Sequence, residues 1–344
     1  MNKSIPNRYF YSMILVTGGT GLIGSHLLFH LTKSGKKVKA SYRNKGAIQN
    51  VLKVFGYYTN KPASLLENID WVQADIVDIG SLELLFEGVT SVYHCAAMIS
   101  FDPRDYNSLV KNNTVGTANI VNLCLEHHIK KLCYVSSIAT IGPSAPEQEA
   151  NEQNEWIDSN ISVYGLTKHY AELEVWRGSQ EGLTVVIVNP GVVIGPGFWK
   201  SGSGTFFTYS SKGKKSYIPG GTGFVTVSDV VKSMVELMGS NIGAERFILV
   251  NENLSYQEIF QKIAPKLGAK VPAKRISFWV LEFFWRWDWL RSNLFRKRRR
   301  LTKNMTKGLY KREIYSNEKI KKAIDFKFEN LDDAIGFCCE KFRD

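Results

Sequence analysis

Tyr164 and Lys168, four residues apart in VYGLTKHY, are residue types that together can move a proton at a carbonyl or alcohol oxygen. On a helix, this spacing places both side chains on one face. A phenol has a pKa of about 10, too high for an efficient acid or base at neutral pH, and a nearby ammonium group lowers that pKa. The pair therefore predicts that Tyr164 exchanges a proton with a substrate while Lys168 tunes the phenol.

Two serines give this pair a partner. Ser136 and Ser137 end KLCYVSS, a run that is typical of a buried strand, and Ser137 lies 27 residues before Tyr164. Open α/β sheets bind ligands at the carboxyl ends of their strands. We therefore expect the Ser137 hydroxyl to hold the substrate oxygen beside the phenol. For Ser136, a small packed residue is the simpler interpretation.

A glycine-rich turn follows the first apolar run, MILVTG. Gly18, Gly21 and Gly24 allow a tight turn and a close approach of backbone N–H groups to a pyrophosphate at a helix N-terminus. The same predicted contact includes the intervening residues Thr20, Leu22 and Ile23. The pattern predicts a dinucleotide cofactor, and Lys168 is then placed to bind its nicotinamide ribose.

The end of the second predicted strand indicates which cofactor this is. Arg43 lies 19 residues after Gly24, where an acidic residue would bind a ribose 2′-hydroxyl. A guanidinium suits a 2′-phosphate, so NADP(H) is favoured and NAD(H) is the alternative. The alternative that Arg43 is a solvated loop residue also remains open. Asp75 and Ile76 are predicted to meet the adenine amino group and ring, although Asp75 could equally cap a turn.

These residues must be positioned by alternating strands and helices. That alternation predicts an α/β doubly wound parallel sheet, the Rossmann fold, over residues 13–190. Residues 191–344 are predicted to form mainly a smaller substrate-binding lobe, with a segment of about 224–240 returning to the first domain. The predicted strands are 13–18, 38–43, 69–76, 91–97, 131–137 and 184–190, and the predicted helices 25–35, 81–86, 105–128 and 163–180.

Composition limits the class of protein. The 344-residue chain is 44% hydrophobic and contains no apolar run of 18 or more residues, so a spanning helix and disorder are both disfavoured. Residues 1–12 lack the apolar core of a signal peptide, and Met13 is a candidate for the true start. Five cysteines without paired or zinc spacing predict a reduced, cytoplasmic protein with no metal site.

The positive charge is concentrated in one region. Residues 274–322 contain 16 Lys or Arg against 4 Asp or Glu, an excess equal to the net charge of +12. Within it, residues 276–300 read ISFWVLEFFWRWDWLRSNLFRKRRR, with four of the eight tryptophans. This segment could be a helix that covers a substrate pocket, or a peripheral membrane contact. Nucleic acid binding is disfavoured because no recognised nucleic-acid module accompanies the basic run.

Taken together, the motifs resemble the extended short-chain dehydrogenase/reductase family, also called the NAD-dependent epimerase/dehydratase family. The resemblance covers residues 13 to about 230 and rests on TGGTGLIGSHL, HCAA, NNTVGTANIV, VSSIATIG and YGLTK. The segment NPGVVIGPG, residues 189–197, and KASYRN are similar to the dihydroflavonol reductase and 3β-hydroxysteroid dehydrogenase branches. The loop after Ser137 departs from the pattern, with Ile141 in place of a tyrosine.

The resemblance implies roles for individual residues. It makes Ser137, Tyr164 and Lys168 the catalytic triad, with Asn113 supporting a water or backbone contact behind the lysine. Residues of HCAA, His94 to Ala97, are expected to line the pyrophosphate and nicotinamide. The expected cofactor contacts from this group and from the end of strand six are Cys95, Ala96, Ala97, Pro190 and Val192.

Three functions follow as hypotheses. The first is an NADP(H)-dependent oxidoreductase acting on a carbonyl or secondary alcohol, with a lipophilic small molecule as substrate. The second is a sugar-nucleotide epimerase or dehydratase that retains NAD. The third is a noncatalytic, membrane-associated NAD(P)-binding subunit, which would have no need of Tyr164. By resemblance, residues 105–128 and 163–180 are expected to form the interface of a homodimer.

Overall fold

The structure is a computed structural model, and it describes residues 13–145, 148–157, 161–295, 299 and 301–344. Residues 1–12, for which a non-native origin was considered, lie outside the described residues. The strands are β1 Met13–Thr17, β2 Val38–Tyr42, β3 Ile69–Gln73, β4 Val89–His94, β5 Lys131–Val135, β6 Val185–Pro190, β7 Val192–Ile194, β8 Ser216–Tyr217, β9 Gly221–Thr226, β10 Glu245–Leu249, β11 Glu252–Ser255 and β12 Lys274–Arg275.

Helices alternate with the strands in the first half of the chain and dominate the second. They are α1 Leu22–Lys33, α2 Ile48–Gly56, α3 Pro62–Leu66, α4 Ile79–Phe86, α5 Tyr106–Leu109, α6 Gly116–Glu126, α7 Val163–Gln180, α8 Gly204–Ser211, α9 Val227–Gly239, α10 Tyr256–Ile263, α11 Phe278–Phe295, α12 Lys303–Tyr310, α13 Glu318–Ile324 and α14 Leu331–Arg343.

A seven-stranded sheet forms the centre of the molecule. Its order is β10-β6-β5-β4-β1-β2-β3, and every neighbouring pair is parallel. The order reverses between β1 and β4, and this is where doubly wound sheets open a ligand crevice. The predicted Rossmann fold is confirmed.

The strands are buried because both faces of the sheet are covered. Leu15 of β1 packs in one apolar cluster with helix residues such as Val121, and Val16 packs in the opposite cluster with Leu27 of α1. Parallel strands buried on both faces are continuous apolar runs, and MILVT is such a run. The carboxyl ends of β1, β4, β5 and β6 therefore meet at one edge.

A smaller lobe lies beyond β6. Its three-stranded sheet has β9 between β7, to which it is parallel, and β11, to which it is antiparallel. Phe207, Phe224, Ile259 and Ile335 lie in its core. The second half of the chain also returns to the first domain further than residues 224–240: α9 packs on α1, and β10 becomes an edge strand of the large sheet beside β6.

Several predicted bounds need correction: strand three ends at Gln73, not Ile76, and strand five at Val135, not Ser137. Strand four ends at His94, not Ala97, so the following residues belong to a loop. The predicted helix 105–128 is α5 and α6 joined by a π-helical segment, Val110–Val115. Such π segments occur often at functional sites, and this one contains Asn113.

Candidate active site

Tyr164 and Ser137 meet at the carboxyl edge of the sheet. Ser162 caps the start of α7 by accepting a hydrogen bond from the Gly165 amide at 3.0 Å, and this places Tyr164 in the first turn. A Cβ on Gly165 would lie 3.2 Å from the Ala139 carbonyl oxygen, so glycine allows α7 to approach the chain after β5. Burial raises the pKa of Tyr164 to about 12, although the neighbouring Ser137 side chain acts to lower it.

Lys168 lies one turn further along α7 and points into the protein. Its ammonium donates to the Tyr134 hydroxyl at 2.6 Å and to the Val135 carbonyl oxygen at 2.7 Å. Burial lowers the pKa of Lys168 to about 7, and the nearby Glu172 limits the fall. The expected lowering of the Tyr164 pKa by Lys168 is contradicted by this structure, because burial of the phenol dominates.

A buried row of polar groups runs from β1 to Lys168. The Thr17 hydroxyl lies 2.6 Å from His94 Nδ1, and His94 Nε2 lies 3.1 Å from the Thr117 hydroxyl. The His94 ring stacks on Tyr134 with 5.5 Å between centroids, and the Tyr134 hydroxyl accepts from Lys168. Burial lowers the pKa of His94 to about 3, so its ring is neutral. The His94 side chain is therefore internal and does not line a cofactor site.

Glu172 organises a second buried group behind the serines. One of its carboxylate oxygens accepts hydrogen bonds from Ser136 at 2.5 Å, Thr140 at 2.8 Å and Asn189 at 3.0 Å. Its other oxygen accepts from Arg246 of β10 at 3.1 Å. Ser136 is thus a packed, hydrogen-bonded residue.

Asn113 connects the loop after β4 to α7. Its Oδ1 accepts from the Met98 amide at 2.7 Å, and its Nδ2 donates to the Met98 carbonyl oxygen at 3.0 Å and the Thr167 hydroxyl at 3.2 Å. Thr167 directly precedes Lys168. Asn113 therefore links Met98 to α7 one residue before Lys168, and its supporting role behind the lysine stays a prediction.

The glycine turn between β1 and α1 is built for close approach. Gly18 has φ +68°, and a Cβ there would lie 2.6 Å from the Ala96 amide nitrogen. A Cβ on Gly24 would collide with the Gly18 carbonyl. These two glycines bring the turn against the β4 loop, where Ala96 lies.

The start of α1 suits a pyrophosphate. Among the described residues, no side chain caps this helix and no acidic residue lies in its first turn, and Gly21 at the cap is exposed. A helix N-terminus of this kind favours an anion. The backbone around Gly21 therefore fits the phosphates of a dinucleotide, and an anionic side chain would not compete with them.

The three residues predicted to contact the adenosine part of the cofactor differ in their exposure and in their contacts. Arg43 is exposed just after β2, and its guanidinium donates to Asn112 Oδ1 at 3.2 Å. Asp75 is partly buried and accepts a hydrogen bond from the Val77 amide at 3.2 Å. This contact corresponds to the alternative in which Asp75 caps a turn. Ile76 is buried in the core against Gly116.

The remaining predicted cofactor residues vary in exposure. Pro190 is buried at the end of β6 and Ala97 is exposed, whereas the others are partly buried: Thr20, Leu22, Ile23, Cys95, Ala96 and Val192. Ile141, where the family pattern has tyrosine, is buried in a cluster with Ile248 and Val250.

The substrate side of Tyr164 is bordered by an apolar residue. Phe101 lies edge-on to the Tyr164 ring, with 5.6 Å between centroids, and is itself exposed. In the described part of the chain, no group of three or more His, Cys, Asp or Glu residues could hold a metal ion. None of the described helices combines the length and apolar character needed to cross a bilayer.

Sequence reasoning missed Tyr134 and Glu172. Glu172 is four residues after Lys168, so helical spacing alone places it on the same buried face. Tyr134 has no comparable signal, because β5 is buried throughout and its pattern does not distinguish its two faces.

A doubly wound parallel sheet, a glycine turn after its first strand and a Tyr–Lys pair at its carboxyl edge define a Rossmann-type enzyme that uses a nicotinamide dinucleotide. The profile of the NAD dependent epimerase/dehydratase family matches residues 14–247. The chain belongs to this family and is an NAD(P)-dependent enzyme of its dihydroflavonol reductase-like branch.

Individual relatives agree with this placement. A "Putative dihydroflavonol 4-reductase" of Synechocystis sp. is 31% identical over 280 residues, 78% of this chain and 77% of that protein. Sterol demethylase protein B of Methylococcus capsulatus is 27% identical over 263 residues, 75% of each chain. The crystal structure of gox2253 is 25% identical with a TM-score of 0.80, covering 97% of this chain and 98% of that one.

Proposed function

We propose that this enzyme uses NADP(H) to reduce the carbonyl group of a lipophilic small molecule to a secondary alcohol. The observation that carries the proposal is the close packing of the first turn of α7, which carries Tyr164, against the chain just after Ser137 at the carboxyl edge of the sheet. It leaves one phenol and one hydroxyl able to contact the same substrate oxygen. The exposed, apolar Phe101 beside Tyr164 supports a lipophilic substrate.

A nicotinamide dinucleotide held at the glycine turn around Gly21 would supply the hydride for the carbonyl carbon. Ser137 orients the carbonyl oxygen by hydrogen bonding, and Tyr164 gives its proton to that oxygen as negative charge develops there. Lys168 places positive charge beneath the site, and Tyr134 and Val135 hold it there. A pKa of about 12 keeps Tyr164 protonated at neutral pH, so the proton that the developing alkoxide needs is in place.

The preference for NADP(H) rests on Arg43. The guanidinium is exposed beyond the end of β2 and is held toward α5 and α6 by a single hydrogen bond to Asn112. A cation at this position suits a 2′-phosphate better than a 2′-hydroxyl.

The test combines two tyrosine variants on the same helix. Tyr164→Phe should lower kcat with NADPH and a panel of aryl and steroid ketones by about 10²- to 10⁴-fold, with NADPH affinity kept. Tyr170→Phe, an exposed position on α7, should leave turnover unchanged. Equal activity of Tyr164→Phe and the wild type would refute the mechanism. Tightly bound NAD in the purified protein would favour a sugar-nucleotide epimerase instead.

We also propose that the enzyme is a cytoplasmic homodimer. Its five cysteines are free thiols, as a reducing compartment requires. Helices α6 and α7 pack side by side, and the π segment and α7 expose Val115, Tyr170 and Leu173. A second copy would cover these side chains. Leu173→Asp should shift the protein to a monomer in sedimentation, and an unchanged mass would refute this interface.

A further inference from the structure

Helix α11, Phe278–Phe295, exposes most of its large apolar side chains. Of its 18 residues, the buried ones are Leu281, Asp288 and Ser292. Asp288 accepts from Arg291 of the same helix at 2.5 Å and from the Leu301 amide at 3.1 Å, so its buried carboxylate is paired and joins α11 to the chain that follows it. A helix of a globular protein normally buries its apolar face and exposes its polar one.

The outward side carries a continuous apolar stripe. Trp279, Phe283 and Leu294 are 80%, 65% and 68% exposed, and Trp287 and Leu290 lie between them on the same side. At about 100° per residue, these five positions fall within an arc of about 80°, almost opposite the buried residues. We call them the α11 stripe. Large exposed apolar surfaces of this kind mark interaction sites.

The charges around the α11 stripe limit what can cover it. Residues 274–322 carry the 16 Lys or Arg and 4 Asp or Glu of the basic region. Among its described residues, Lys274, Arg275, Lys303 and Lys311 are exposed. The acidic groups of the helix are neutralised, since Glu282 pairs with Arg286 at 2.5 Å and Asp288 with Arg291.

An apolar stripe within a strongly basic region is complementary to a membrane surface, where anionic headgroups cover an apolar interior. We propose that the α11 stripe docks on an anionic phospholipid bilayer, with the helix lying in the interfacial plane. Tryptophan favours this interface, and Lys or Arg side chains near it are attracted to anionic lipid. A second copy of the chain fits less well, because pairing two α11 stripes would bring two basic regions together.

Docking at α11 would also orient the active site. The Arg299 amide donates to Asp102 Oδ2 at 2.9 Å, so the chain following α11 contacts the loop that carries Phe101. Phe101 in turn contacts Tyr164. The bilayer would therefore lie beside the apolar rim of the cleft. The orientation of the active site rests on the proposed function. Membrane docking goes beyond that function and does not depend on it.

The test is sedimentation of the full-length protein with vesicles, without cofactor or substrate. We expect binding to vesicles of equal parts phosphatidylcholine and phosphatidylglycerol, weakened by salt, and little binding to phosphatidylcholine alone. The variant Trp279→Ser/Phe283→Ser/Trp287→Ser should partition at least about tenfold less. The matched control is Ile79→Ser/Leu84→Ser, which removes exposed apolar residues from α4 and should bind as the wild type does.

Further outcomes separate docking from its alternatives. Brominated phosphatidylglycerol should quench the tryptophan fluorescence of the wild type more than that of the triple variant. Leu294→Ser, a milder change, should show a smaller loss of binding with an unchanged melting temperature. Equal vesicle binding by the wild type and the triple variant would overturn the proposal. It would also be overturned if the triple substitution changed only the oligomeric state or the binding of an oligonucleotide. Tyr164→Phe should bind vesicles normally, so failure of the proposed reaction would be recognised separately.

Discussion

The Lys168 ammonium nitrogen lies 2.6 Å from the Tyr134 hydroxyl oxygen, and it also lies over the Tyr134 ring at 4.3 Å from the centroid. Tyr134 belongs to β5, the strand that leads directly to Ser137, whereas Lys168 belongs to α7, the helix that carries Tyr164. The contact therefore holds β5 and α7, the two elements that lead to or carry the candidate catalytic residues, against each other. It also provides an acceptor for a buried charge, without which burial would be costly.

Tyr134→Phe should change the pH dependence of the reaction. The substitution removes an acceptor of the ammonium, so the pKa of Lys168 should fall further below its ordinary value than the present pKa of about 7. If the reaction needs the protonated lysine, activity should then be lost at a lower pH than in the wild type. The measurement is kcat/KM against pH. Tyr93→Phe changes a buried tyrosine of β4 in a different apolar cluster and should leave the profile in place; identical profiles for all three proteins would contradict this role of Tyr134.

Glu172→Gln should affect both stability and the same pH profile. The carboxylate raises the pKa of Lys168 and accepts from Arg246, whose side chain is only 20% exposed. Glutamine keeps the shape but removes the charge, so unfolding should be easier by about 1–3 kcal/mol and activity should decline at lower pH.

Glu174→Gln provides the control for this prediction. Glu174 lies on the same helix and pairs with Arg177 at 2.9 Å, but both side chains are about one-third exposed. Its loss should cost less than about 1 kcal/mol and leave the pH profile unchanged. Urea unfolding and initial rates give both quantities. If both variants changed the free energy of unfolding and the pH profile equally, Glu172 would contribute no more than an exposed glutamate.

The sequence predicted the sheet, and the helix that carries Tyr164 and Lys168, for a physical reason, whereas the triad role of these residues stays a prediction. Helical spacing pairs Tyr164 with Lys168, and short apolar runs ended by glycine or serine mark where parallel strands meet. These are local signals. The pairing of β10 with β6 is not local, because residues 245–249 join the sheet across the intervening small lobe. For the same reason, the contact between Lys168 and Tyr134 depends on how a helix and a strand 34 residues apart pack, and no pattern of residue types specifies it.

Arg43→Glu should reverse the cofactor preference. The guanidinium is exposed and has one described partner, Asn112, so a 2′-phosphate can replace that hydrogen bond at little cost. A carboxylate would repel the phosphate but could accept from a 2′-hydroxyl. We expect NADPH to bind about 10- to 100-fold more weakly and NADH to bind equally well or better, as measured by quenching of tryptophan fluorescence. Lys53→Glu, which makes the same charge change at an exposed site on α2, should leave both affinities within about twofold. Loss of affinity for both cofactors alike would indicate that Arg43 only supports the local structure.

The buried ammonium of Lys168 should make the stability of the protein rise with pH above neutrality. Its pKa is about 7 in the folded protein, against 10.5 for an ordinary lysine, because burial disfavours the charged form. Between these two values the unfolded chain holds a proton that the folded protein has released, so the free energy of unfolding increases with pH. Below the folded pKa both states are protonated, and the penalty is constant. Lys168→Met removes this titration, so the difference in unfolding free energy, wild type minus variant, should increase from pH of about 7 to about 10. Urea unfolding of both proteins across this range measures it, and parallel curves would mean that Lys168 keeps its proton throughout and that its charge is fully compensated by Tyr134, Val135 and Glu172.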